Sequence, residues 1–159
     1  RVEGYGVEIM KGYTFDQRDT MWLFSHSGIN NVNIDVALEA KKKGMKVVVF
    51  GSAAEAKGKK TRHSSGKTIF DIGDIIVDTC APIGDSTVDL KNHQDKIGPV
   101  STMAFVTCVW MTVTTVAEIL AERGIKLFIH PSHNVPGDTT AKERLEEALG
   151  EYKKRIAGV

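Results

Sequence analysis

Residues 21–24, 46–50 and 74–78 carry apolar runs without polar alternation, each bounded by polar or glycine-containing stretches. Runs of this length and kind predict strands covered on both faces. Residues 125–129 read the same way and stop at Pro131, which predicts a fourth strand. Between the first two runs the period becomes helical. Over residues 30–43, Ile34, Ala37, Leu38 and Lys41 share a face, with Val36 and Ala40 beside it. Asn30 and Asn31 suit the helix start. Lys41, Lys42 and Lys43 suit the last turn, where cations meet the negative end of the dipole, and Gly44 suits the stop.

A weaker helical stripe runs through Val2, Tyr5, Ile9, Met10 and Tyr13. A helical turn is expected near residues 53–57, and a short helix over 67–73 with Ile69, Phe70 and Ile72 inward. Ser101 opens a long apolar helix to about Arg123, ended by Gly124. Asp138 or Thr139 caps a last helix to Ile156 with the stripe Ala141, Leu145, Ala148, Leu149, Tyr152 and Ile156. Residues 51–65 and 80–99 read as loops, the second broken by Pro82, Gly84, Gly98 and Pro99.

Strands alternating with helices predict an α/β fold, a three-layer α/β/α sandwich on a parallel sheet. Ligands bind such sheets beyond the C-terminal strand ends. The loops at 25–30, 51–66, 79–101 and 130–137 all follow predicted strands. The helix from Ser101 is apolar all round, which predicts a place in the core or at an interface between copies of the chain. Its Ser and Thr content, and the lack of a basic residue at its start, weigh against a membrane span.

At 159 residues the chain predicts a single domain over 1–159. The formal net charge of +1 gives no electrostatic case for a nucleic-acid partner or an anionic membrane. Cys80 and Cys108 lack metal-ligand spacing, and two reduced thiols in a cytoplasmic protein are expected. No metal or cofactor is expected.

The chemistry concentrates at Ser25, His26, Ser27, Gly28, Ile29 and Asn30. Small hydroxyls and a glycine where a strand meets a helix start favour an oxyanion, through backbone amides and the helix dipole. Ser52 follows the second strand, and Ser101 and Thr102 open the long helix; both places repeat the theme. The run from His63 to Lys67 offers two hydroxyls, a glycine and a lysine to an anion, but it lacks P-loop glycine spacing, and a capped turn is the alternative it favours. No Gly-x-Gly-x-x-Gly follows any strand, which disfavours a dinucleotide site.

A strand followed by Ser25-x-Ser27-Gly28-x-Asn30 and a helix resembles the phosphosugar-binding turn of SIS (sugar isomerase) domains, with Asn30 at their Thr position. The resemblance continues through residues 27–41, Arg62 to Lys67, Asp74 to Asp85, Gly98 to Thr102 and His133 to Asp138. It is nearest to the branch named for phosphosugar or phosphoheptose isomerisation. It implies a flavodoxin-like parallel sheet, and a sugar phosphate held by Ser25, Ser27, Gly28, Asn30, Ser52, Ser101 and Thr102. It also implies a homodimer or homotetramer, and a long helix and first strand ahead of the chain's own first residues. Thr139 and Thr140 stand where related sequences often carry a His-Asn pair.

Two functions follow: an aldose–ketose phosphosugar isomerase, or a non-catalytic phosphosugar sensor. An isomerase needs a base within hydrogen-bond reach of the migrating proton. The candidates are His130, His133, Asp85 and Glu118, with the histidines preferred because imidazole titrates near neutrality.

Overall fold

The computed structural model describes residues 2–132 and 134–156. It divides into two units, Arg1–Met111 and Thr112–Val159. In chain order the first unit holds α1 (Tyr5–Lys11), β1 (Thr20–Phe24), α2 (Asn31–Lys42) and β2 (Lys46–Gly51). Two one-turn helices follow, α3 (Ala53–Ala56) and α4 (Ile69–Ile72), then β3 (Ile75–Asp78), β4 (Ser86–Val88) and β5 (Ile97–Pro99). α5 (Ser101–Glu122) runs on from the first unit into the second, which also holds α6 (Ala141–Ile156).

β1, β2 and β3 form a parallel sheet in that order, as the α/β reading predicts. Thr20 pairs with Lys46 and Phe24 with Phe50; Val48 pairs with Ile75 and Gly51 with Asp78. The crossover through α2 closes with two bonds around Gly44, whose φ is +78°. Gly44 N donates to Lys41 O at 3.0 Å and Met45 N to Ala40 O at 3.0 Å. This is a Schellman stop, and it needs the left-handed residue that glycine supplies.

One sheet face and α2 make the core. Leu23, Val47 and Val49 pack with Ile34, Ala37 and Ala40, joined by Met10, Ile69 and Ile72. On the other face Phe24 stacks on Phe50 at 4.8 Å between centroids, and Phe105 of α5 meets Phe24 edge-on at 5.7 Å. The sheet thus lies between α2 and the start of α5.

Four expectations are corrected. β3 is not covered on both faces: it is an edge strand, with Ile75 54% and Ile76 41% exposed. Residues 125–129 form no strand, because apolar residues alone make none without a ladder partner. Residues 80–99 are not all loop: Ser86 pairs antiparallel with Pro99, and Val88 with Ile97. The helix from Ser101 is not a buried core helix, since none of its described residues is buried. By length and composition it is also apolar enough to cross a membrane.

Candidate functional site

The C-terminal ends of the three parallel strands bring together residues from four segments. The turn after β1 supplies His26, and the start of α2 supplies Asn30 and Asn31. The segment after β2 supplies Ser52, Glu55, Lys59, Lys60 and Arg62, and the segment after β3 supplies Gly84 and Asp85.

The turn after β1 is built from its own serine. Ser25 is buried; its N–H donates to Phe50 O at 3.1 Å, and its Oγ accepts from Gly28 N at 3.1 Å. Gly28 takes φ +72°, and a Cβ there would lie 2.5 Å from the Phe70 ring. Gly28 therefore serves the turn's packing. Ser27 is half-buried in the same turn. Asn30 occupies the cap position of α2 in extended conformation but makes no side-chain capping bond. Its Nδ2 points to Ser25 Oγ at 3.5 Å instead. The first turn of α2 holds no acidic residue, so the positive helix end stays uncompensated. Ile29, Asn30 and Asn31 line a cavity of about 330 Å³ there, and Lys60 and Arg62 complete the wall. Amides, a helix dipole and two cations around one space can hold an anion.

Ser52 is fully buried. Its Oγ donates to Ala81 O at 2.6 Å and accepts from Glu55 N at 3.1 Å, and its N–H donates to His26 O at 3.0 Å. It stands beneath the site and caps α3. The spacing Ser52-x-x-Glu55 is that of a capping box, in which the glutamate would return to the cap amide. Here the Ser52 amide is already taken by His26 O, and the buried Glu55 carboxylate bonds elsewhere. Its Oε2 accepts from Gly84 N at 2.9 Å, and its Oε1 accepts from Lys59 Nζ.

The β4–β5 hairpin brings Asp85 to the start of α5. Gly84 and Asp85 both lie in the left-handed region, at φ +82° and +69°. That turn aims the Gly84 amide at Glu55 and the Asp85 carboxylate at α5. Asp85 Oδ1 accepts from Val100 N at 3.0 Å and Ser101 N at 2.7 Å, and its Oδ2 accepts from Ser101 Oγ at 2.8 Å. Ser101 is thus bound to Asp85, while Thr102 is exposed one residue on.

His26 stands beside Glu55, and its charge also acts on Asp85. Its side chain is 16% exposed, and Nε2 is 3.9 Å from Glu55 Oε2, too far for a hydrogen bond. Both ring nitrogens are shielded from solvent and have no hydrogen-bond partner. The hydrogen bond from Lys59, then that from Gly84, hold the Glu55 carboxyl below its ordinary value against the effect of burial; Lys59 and His26 add charge. For Asp85 burial acts upward, but the bonds from Ser101 and Val100 outweigh it, with help from His26, and the carboxyl again lies below its ordinary value. Both groups are anions near neutral pH.

Of the residues singled out from sequence, the strand ends gather Ser25, Ser27, Gly28, Asn30, Ser52, Asp85, Ser101 and Thr102. Glu118 and His130 are exposed in the second unit. His133 lies outside the described residues. Sequence reasoning missed His26 and Glu55 as chemical groups, and Lys60 and Arg62 as cavity wall. The Ser52-x-x-Glu55 spacing was a usable signal for Glu55. His63 is buried against Asp35, and Ser65 N and Oγ bond its Nδ1, so that segment is the capped turn its sequence suggests. Among the described residues no group of three or more His, Cys, Asp or Glu side chains has metal-binding arrangement.

A SIS domain model matches residues 1–52, which cover α1, β1, the turn and cap of α2, α2 itself and β2. The chain is 33% identical over 147 residues to a UPF0309 protein of Shouchella clausii, covering 92% of this chain and 60% of the relative. A UPF0309 protein of Oceanobacillus iheyensis is 32% identical over 156 residues, covering 98% and 62%. One of Thermoanaerobacter pseudethanolicus is 32% identical over 150 residues, covering 93% and 60%. The chain thus spans about three fifths of the length of these relatives.

Proposed function

We propose that this chain is the phosphosugar-binding part of a SIS-type protein, and that the protein interconverts an aldose phosphate and a ketose phosphate. The observation that carries the reading is the cavity at the uncapped start of α2, walled by Asn30, Asn31, Lys60 and Arg62. A phosphate there meets helix amides and two cations at once. The SIS match over residues 1–52 covers the turn and helix that build this cavity, and it supports phosphosugar binding. The sugar's carbon chain would run from the phosphate toward the other strand ends, where polar side chains gather. Because the relatives are longer than this chain, the activity of the whole protein is part of the proposal.

The same reading takes the protein as a homodimer or homotetramer. Met103, Val106 and Val113 of α5 are 70%, 49% and 40% exposed, and apolar surface of this kind favours a second copy.

A thermal-shift series tests the binding. Pentose, hexose and heptose phosphates should raise the melting temperature, since a ligand for the folded state stabilises it by mass action. The unphosphorylated sugars should do less, and Lys60→Ala with Arg62→Ala should abolish the response. No response to any sugar phosphate would overturn the reading. Binding without turnover would leave the non-catalytic sensor.

A further inference from the structure

The cavity at the start of α2 needs two cations in place, and neither belongs to α2. Lys60 and Arg62 reach it from the segment after β2. Neither has a carboxylate partner among the described residues, so each repels the other, and the positive end of α2 repels both. Without an anion this segment would swing away from the helix unless its flanks held it.

Both flanks are held by buried carboxylates. Before the pair, Lys59 N donates to Ala56 O at 3.0 Å, and Lys59 Nζ bonds the carboxylate of buried Glu55. After the pair, the buried ring of His63 places Nε2 3.0 Å from Oδ1 of Asp35, itself buried on α2. Asn31 of the cavity wall and Asp35 stand at i and i+4, so they lie one above the other on one face of the helix. The helix that presents amides to an anion therefore also grips, one turn further on, the segment that brings the cations. Asp35 is fixed in its turn, because its Oδ2 accepts from Gly4 N at 2.8 Å and Gly6 N at 3.1 Å. Ser64 adds a second tie, its N–H donating to Glu3 Oε2 at 3.0 Å.

We propose that Asp35 and His63 are positioning residues of the anion site, and that their bond holds Lys60 and Arg62 at the start of α2 before a sugar phosphate arrives. The proposal rests on the phosphosugar reading above and deepens it. Neither Asp35 nor His63 lines the cavity, so their effect passes through the two cations. A cradle fixed beforehand loses none of the binding free energy to ordering the segment, and the gain appears in affinity.

Calorimetric titration of inorganic phosphate into the 159-residue chain tests it, with circular dichroism to check that each variant is folded. Arg62→Ala should weaken phosphate about tenfold in the wild-type background. His63→Leu, which removes the bond to Asp35, should weaken it about tenfold or more. His63→Gln, whose side-chain amide can donate to Asp35 in place of the ring, should stay within about threefold of wild type. In a His63→Leu background the further effect of Arg62→Ala should shrink below about threefold, because the guanidinium is no longer held at the site. A residue that served stability alone would leave that effect at its full size. Binding by His63→Leu within threefold of wild type overturns the proposal and leaves the binding reading standing. So does an undiminished Arg62→Ala effect in its background, or a His63→Gln that binds no better than His63→Leu. Phosphate that fails to bind the wild type, or binds it regardless of Arg62, overturns the underlying reading and this proposal with it. If His63→Leu fails to fold, hydrogen exchange on the wild type decides. The amides of His63, Ser64 and Ser65 are bonded in the free chain, and without phosphate they should exchange at least about tenfold slower than in an unfolded chain. Exchange at the unfolded rate that slows only when phosphate is added overturns the proposal.

Discussion

His63 Nε2 lies 3.0 Å from Asp35 Oδ1, and both side chains are buried. Ser65 N donates to His63 Nδ1 at 3.1 Å, which leaves Nε2 as the protonated nitrogen facing the carboxylate. The other oxygen, Asp35 Oδ2, accepts from Gly4 N at 2.8 Å and Gly6 N at 3.1 Å. One carboxylate on α2 therefore fastens the start of α1 and the loop that follows Arg62. Asp35→Ala removes three bonds and strands a buried imidazole, and should cost about 3 kcal/mol. Urea unfolding measures it, and a loss under about 1 kcal/mol would sink this role.

Phe70 packs against two glycines at the strand ends, and the two should respond differently when it is cut back. A Cβ at Gly51 would lie 2.4 Å from Ser25 O and 2.7 Å from Phe70 Cζ. A Cβ at Gly28 would meet only the Phe70 ring below 3 Å, on a backbone already at φ +72°. Each alanine variant should lose about 2–3 kcal/mol. In a Phe70→Ala background the further cost of Gly28→Ala should fall to about 1 kcal/mol, that of the left-handed backbone. Gly51→Ala should keep its cost, because the Ser25 carbonyl cannot move aside. Equal rescue of both in denaturant titrations would contradict this packing.

The carboxylates of Glu55 and Asp85 set an acid limit on stability. Glu55 and Asp85 both titrate below their ordinary values of 4.5 and 3.8 when folded. On acidification the unfolded chain therefore takes up protons first. The stability these groups contribute is full above their ordinary values, and is lost as the pH falls through the lower folded-state values. Melting temperatures taken downward from pH 6 should hold and then fall below about 4.5. Glu55→Gln should be less stable at pH 6 and flatter toward acid. A variant curve parallel to wild type would show that Glu55 carries none of the dependence.

How far the sequence foretold this depends on whether a feature is local. The stop of α2 at Gly44 was legible because a Schellman turn needs a left-handed residue at one known place. The end of α5 repeats it at Gly124, where Gly124 N donates to Ala121 O and Ile125 N to Leu120 O. The β4–β5 hairpin was hidden because Gly98 and Pro99 read as breakers, yet Pro99 sits at an edge position opposite Ser86 that asks no ladder bond of its nitrogen. Missing the hairpin meant missing how Asp85 reaches Ser101. His26 was hidden for the same reason: its neighbours Glu55 and Asp85 stand in segments that only the sheet brings together. Residues 125–129 misled in the opposite direction, because strand propensity describes a fit to neighbours and says nothing of whether they are there.

The exposed face of α5 makes the last prediction. Met103, Val106 and Val113 recur at helical spacing, and Val116 and Ile119 extend the apolar surface at 46% and 41% exposure. A 22-residue helix with no buried residue leaves more apolar area open than a soluble monomer ordinarily shows. If copies of the chain cover one another there, light scattering behind size exclusion should give two or four protomers at micromolar concentration. Val106→Glu with Val113→Glu should then shift the mass to one protomer and leave the parallel-sheet unit folded, because neither side chain belongs to the core around β2. Burying an unpaired carboxylate at such an interface costs several kcal/mol per site, enough to dissociate a micromolar assembly. A wild-type chain that runs as a monomer at that concentration refutes the assembly.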